Sequence, residues 1–191
     1  MNYEPSTMNE QDLRWEFISS EYIHKGKWAT LRIDKCKMPS GVIVDDYYVL
    51  EYDSWVNGVA ITKDNEVLMV KQYRHAADII SLEIPGGVVD EGEDPQQALR
   101  RELLEETGYQ FDDFEFLCRL CPNPSTGNNR VYSYLAKGGI LVQEQALDDH
   151  EDIIVEKYSL DEIKQLLLEN KIDQSMHCSA LFYALAKLDA L

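Results

Sequence analysis

Basic residues are scarce in this chain. Against 35 acidic residues stand 18 lysines and arginines, a net charge of −17 over 191 residues, and no basic patch gathers the few cations. Proteins that grip nucleic-acid backbones or anionic membranes do so through clustered positive charge, so neither partner is expected. Long apolar runs are missing too: no stretch approaches the ~18 residues of a membrane span. The first residues, MNYEPSTMNEQDLRWE, lack the basic-then-apolar pattern of a secretory leader. Only four cysteines are present. Cys118 and Cys121 form a C-x-x-C inside the apolar, strand-like run FEFLCRLC, with no second pair to complete a zinc site, and read as reduced thiols. Repeats and low-complexity tracts are absent. The expectation is a soluble, cytoplasmic protein with one sizeable core and at most a small appended domain.

What is present concentrates in Ser81–Tyr109, SLEIPGGVVDEGEDPQQALRRELLEETGY. An apolar run, IISLEI, reads as a strand that ends at Pro85. Gly86 and Gly87 follow, allowing a close approach of backbone to a ligand. A helix is then marked at both ends: Asp94 as N-cap, Pro95 at the first position, Gln97 at the capping-box position and Gly108 as C-cap. At about 100° per residue, Glu102, Glu105 and Glu106 share one flank of this helix. Like charges so spaced repel, so the flank is either solvated or built to hold a cation. Glu93 and Arg101 are read as an ion pair that fixes the loop against the helix.

Gly87, Glu93, Arg101-Glu102-Leu103, Glu105-Glu106 and Gly108-Tyr109 reproduce the Nudix box, G-x5-E-x7-R-E-U-x-E-E-x-G-U, where U is bulky and apolar. The chain therefore resembles the Nudix hydrolases. The resemblance implies a Nudix α/β/α sandwich with a mixed sheet. It also implies hydrolysis of a nucleoside diphosphate linked to another moiety, with Mg²⁺ or Mn²⁺ held by Glu102, Glu105, Glu106 and the Gly86 carbonyl. Gln72-Tyr73-Arg74 and Glu83-Ile-Pro-Gly-Gly87 are similar to elements of the ADP-ribose pyrophosphatase subgroup, with Gly86 in place of the usual alanine. Pro124, 15 residues beyond Tyr109, matches a proline that marks the same subgroup. In that subgroup Arg74 would contact the diphosphate, and Glu83 joins it as a substrate-site residue.

Residues 1–52 are extended in pattern (WEFISSEYI, KWATLRIDKCKM, VIVDDYYVLEY) and are read as an N-terminal β-rich extension, with 53–191 as the Nudix domain. By resemblance, the extension would dimerise and clamp the substrate, Trp28 and Tyr47 or Tyr48 supplying aromatic walls; ordinary strand packing is the alternative for these rings. The acidic run Asp148–Asp152 corresponds to a loop carrying the water-activating glutamate of the subgroup. Here Asp149 takes the usual position, with Glu151 two residues on and His150 between them as a chemically competent base. Two helices close the chain, and His177 in the second is assigned no chemistry.

The reaction expected is metal-dependent cleavage of ADP-ribose to AMP and ribose 5-phosphate by a homodimer. The alternatives are the same reaction on a GDP- or UDP-sugar, and a non-catalytic domain that senses nucleotide sugars. Sensing modules lose box glutamates, and this chain keeps them all.

Overall fold

The structure, a computed structural model, describes residues 10–148 and 150–191. The chain divides into two compact units. One is Met1–Tyr52 with Asn123–Asn128; the other is Asp53–Pro122 with Asn129–Leu191.

In the first unit, a short 3₁₀ turn (Glu10–Leu13) leads into an antiparallel sheet of β1 (Glu16–Lys25), β2 (Thr30–Lys37) and β3 (Ile43–Glu51). Arg32, in the middle strand, bonds Asp34 two residues along its own strand and Glu51 across the sheet on β3. The segment Asn123–Asn128 joins this sheet rather than the domain from which it springs. The Leu50 amide donates to the Thr126 carbonyl, the Leu50 carbonyl accepts from the Asn128 amide, and the Tyr47 hydroxyl donates to the Ser125 carbonyl. The loop containing Pro124 is thereby fixed to β3.

The second unit is a mixed sheet between two helical layers. Its strands are β4 (Trp55–Thr62), β5 (Val67–Arg74), β6 (Ile79–Glu83), β7 (Gly86–Val88), β8 (Tyr109–Gln110), β9 (Asp113–Leu120), β10 (Val131–Leu141) and β11 (Ile154–Tyr158). Along the sheet β11, β5, β4, β10 and β8 are neighbours, with β6 paired to β5, β7 to β4 and β9 to β10. β4 and β10 run parallel and the other pairs antiparallel. Alternation along β4 divides the core. Val56 and Ala60 face Leu99 and Leu103 of α1 (Pro95–Thr107), while Val59 and Ile61 pack with Leu181 and Leu185 of α3 (Ser175–Lys187) and Ile163 of α2 (Leu160–Leu168). This is the three-layer arrangement expected. Among the described residues no helix is long and apolar enough to cross a membrane.

One local reading needs correction. The glycine pair expected as loop belongs to a strand: Gly86, Gly87 and Val88 pair with Asn57, Val56 and Trp55 on β4. A Cβ on Gly86 would meet the Val56 carbonyl oxygen, so only the bare backbone lets β7 lie this close to β4.

Candidate active site

α1 begins and ends where its caps require. The Asp94 carboxylate accepts from the Gln96 and Gln97 amides at 3.0 and 3.2 Å, and Gly108 takes the left-handed conformation, φ 74°. This phase turns Glu102 and Glu106 inward, 9% and 3% exposed, and leaves Glu105 half-buried. The three glutamates are therefore not equivalent.

Each carboxylate has a definite partner. Glu106 accepts from the Gly86 amide at 2.9 Å. Arg101 reaches Glu102 at 2.8 Å and Glu105 at 3.1 Å, and its other face grips Glu93 at 3.2 Å and the Val88 carbonyl at 3.1 Å. The Glu93–Arg101 pair thus joins the loop to the helix, and the same guanidinium also acts as counter-charge to two of the box acids. The adjacent and i, i+4 spacing of these residues is the sequence signal for that second function. Gly87 stands against the Glu102 carboxylate, where a Cβ would collide with it.

The electrostatics follow from burial. Desolvation pushes Glu106 up to about 8, only partly offset by the Gly86 amide, with the charges of Glu102, Glu151 and Glu83 adding to the rise. Glu102 is pushed up to about 7, again by burial, against the pull of Arg101. These are two acids short of positive charge. Among the described residues no three acidic, histidine or cysteine side chains already converge as a ligand cluster: Arg101 holds Glu102 and Glu105, and the Gly86 amide holds Glu106. The donor set nevertheless suits a hard divalent cation, being all oxygen, acidic, mostly buried and set beside a strand whose glycines keep backbone close.

Arg74 and Glu83, singled out separately in the sequence, form one unit. The Arg74 Nε and Nη2 donate to the two oxygens of Glu83 at 2.9 and 2.5 Å. Glu83 is 1% exposed. Burial opposes its charge, but the Arg74 bonds and further contacts hold its carboxyl below the usual carboxylate range. Arg74 also senses the charges of Glu106 and Glu151. The loop after β10 folds back on the end of α1, the Ala146 amide donating to the Glu105 carbonyl and Gln145 to the Glu106 carbonyl. This carries Glu151 near enough to raise both buried acids. Asp149 lies outside the described residues; His150 is exposed.

Trp28 and Tyr47 belong to the other unit. Trp28 is 71% exposed on the β1–β2 connection, beneath the Lys27 ammonium. Tyr47 pairs with Asp34 in the strand register, four positions along from the Thr30–Glu51 pair, with its ring edge-on to Trp15. At about 3.3 Å per residue this sets the two rings well apart along one sheet, so a single sheet does not present them as facing walls. The four cysteines are free, Cys118 buried and Cys121 exposed.

Comparison with known proteins identifies related chains. Residues 54–178 match the NUDIX domain family, and residues 15–50 match the nucleoside diphosphate sugar hydrolase N-terminal domain. An ADP-ribose pyrophosphatase of Mycobacterium tuberculosis is 34% identical over 171 residues, 88% of this chain and 81% of that one. A methanol dehydrogenase activator of Bacillus methanolicus is 32% identical over 167 residues, 87% of this chain and 90% of that one. The crystal structure of an ADP compounds hydrolase superposes with TM-score 0.81 at 22% identity, covering 93% of this chain and 97% of its own.

Proposed function

The chain belongs to the Nudix family, and from that premise we propose that it hydrolyses the diphosphate bond of ADP-ribose to AMP and ribose 5-phosphate. One observation carries the reading: two buried glutamates, Glu102 and Glu106, face each other's charge beside the Gly86 backbone, the first met by Arg101 and the second by the Gly86 amide, with the Arg74 guanidinium within electrostatic range. The relative named an ADP-ribose pyrophosphatase supports the choice of substrate.

Glu102, Glu105, Glu106 and the Gly86 carbonyl would hold Mg²⁺ or Mn²⁺, which when bound neutralises the diphosphate and acidifies a water. The chain's own residues do the rest. Glu83 takes two donors of Arg74 and so restricts the guanidinium to one direction, suited to phosphate oxygens. Arg101 ties the loop at Glu93 to the helix, so the box acids and the Gly86 backbone keep one spacing. Burial keeps water from screening the acids, which strengthens their hold on any cation. Glu151 and Asp149, on the acidic loop, are the candidates for taking the proton of the attacking water.

A panel of ADP-ribose, ADP-, GDP- and UDP-sugars with Mg²⁺ tests this directly. Release of AMP from ADP-ribose, faster than product from the GDP- and UDP-linked compounds and abolished by EDTA, is the expected result. Turnover confined to a GDP- or UDP-sugar would replace the substrate, and no turnover on any would remove the enzyme reading.

The N-terminal unit is assigned a second copy as partner. Every residue of β1 is exposed, among them Phe17 at 62%, Ile18 at 43%, Tyr22 at 46% and Ile23 at 52%, and exposed apolar side chains along an edge strand are suited to self-association. Trp28 would then stack on adenine, its partner wall coming from another element. Light scattering is expected to return twice the chain mass, and Trp28→Ala to raise KM with kcat retained. A monomer, or an unchanged KM, would contradict this assignment.

A further inference from the structure

One buried polar ring in the catalytic unit is left without a role in this chemistry. His177 sits in the first turn of α3 and is 7% exposed. Its Nδ1 accepts the Ile84 amide at 3.1 Å, a bond spanning 93 residues of sequence. With Nδ1 an acceptor, the neutral ring carries its proton on Nε2, and Nε2 faces the Glu83 Oε2 at 3.5 Å. The ring therefore touches two routes into the site. Through Glu83 it meets the carboxylate that holds Arg74. Through Ile84 it meets the backbone two residues ahead of Gly86, where the Pro85 carbonyl accepts from the Gly58 amide and the Gly86 amide reaches Glu106.

We infer that His177 is a positioning residue: Nε2–H sets the Glu83 carboxylate and so the direction of Arg74, while Nδ1 pins Ile84 and so the placement of the Gly86 backbone. The inference rests on the reading of this site as a nucleotide-sugar hydrolase. A buried imidazole needs partners for its nitrogens in any role; what distinguishes this one is which partners it has. Here both are aimed, one at each strand-borne element of the site. Partners behind directly acting groups typically change affinity or rate by about ten- to a hundredfold when removed.

The two arms can be separated by side-chain shape. The glutamine amide nitrogen falls near the place of Nε2, and the asparagine oxygen near that of Nδ1. His177→Gln keeps the donor to Glu83, His177→Asn keeps the acceptor for Ile84, and His177→Leu keeps neither. The variants and wild type are assayed on the best substrate of the panel, with Tm measured on the same preparations. Through the Arg74 arm, His177→Asn is expected to raise KM about tenfold while His177→Gln leaves it near wild type. Through the Ile84 arm, His177→Gln is expected to lower kcat, and His177→Leu to show both effects. Wild-type kinetics in all three, or losses that follow Tm regardless of which nitrogen is replaced, would overturn the inference alone. A wild type inactive on the whole panel would overturn the functional reading and this inference with it.

Discussion

Glu106→Gln is expected to lower kcat by about 10³-fold, about 4 kcal/mol of transition-state stabilisation, without unfolding the protein. The substitution keeps shape and keeps an acceptor for the Gly86 amide, which bonds the Glu106 Oε2 at 2.9 Å. What it removes is charge at the most buried of the three box acids, 3% exposed. In water-poor surroundings that charge has few competitors for a cation, so its loss weighs more than loss of an exposed carboxylate. Glu105→Gln is the internal comparison: Glu105 is half-buried and already balanced by Arg101 at 3.1 Å, so its effect is expected to be smaller. The check is kcat for the two variants at saturating Mg²⁺, with circular dichroism to confirm the fold. Near-normal turnover for Glu106→Gln, or a larger loss for Glu105→Gln, would contradict the ranking drawn from burial.

The ranking of these glutamates shows what spacing in a sequence conveys and what it does not. Their common flank follows from helical periodicity, and the ends of α1 from Asp94 and Gly108, because those signals are local. Which acid is buried depends on where β7 lies, and β7 depends on Gly86 and Gly87 pairing with β4 nearly thirty residues earlier. The strands were legible for the same local reason: alternation and turn residues such as Asn65, which takes a positive φ of 61°. Two features were not legible. The segment Asn123–Asn128 joins the N-terminal sheet through backbone bonds to Leu50, and main-chain groups are the same in every residue. His177 reaches Ile84 across the whole catalytic unit, and a lone histidine in an apolar helix carries no pattern that marks its partner. Arg74 and Glu83 belong with them: the register of β5 with β6 sets Glu83 opposite Val70 and Arg74 opposite Ile79, so the pair depends on the reach of the guanidinium along the sheet and not on strand register.

Magnesium is expected to stabilise the protein strongly at pH 8 and weakly near pH 5. Both Glu106, at about 8, and Glu102, at about 7, lie above the 4.5 of a free glutamate. An acid raised on folding favours the fold fully below its unfolded value, and that contribution is lost as pH rises through its folded value. The metal-free protein should therefore lose stability between about pH 5 and pH 8, by up to about 5 kcal/mol for the Glu106 charge, less where it shares protons with Glu102. His177 runs the other way. Burial pushes it down to about 4, so its contribution is complete above about pH 6.5 and is lost as pH falls toward 4. The two effects leave the metal-free protein most stable at mildly acidic pH. A divalent ion bound to the ionised acids competes with their protons and reverses the loss on the alkaline side. Thermal unfolding from pH 4 to 9, with 5 mM Mg²⁺ or with EDTA, reads this as a Tm difference that widens with pH and narrows in Glu106→Gln. A magnesium effect of equal size at pH 5 and pH 8 would mean that the ion binds elsewhere than at the buried acids.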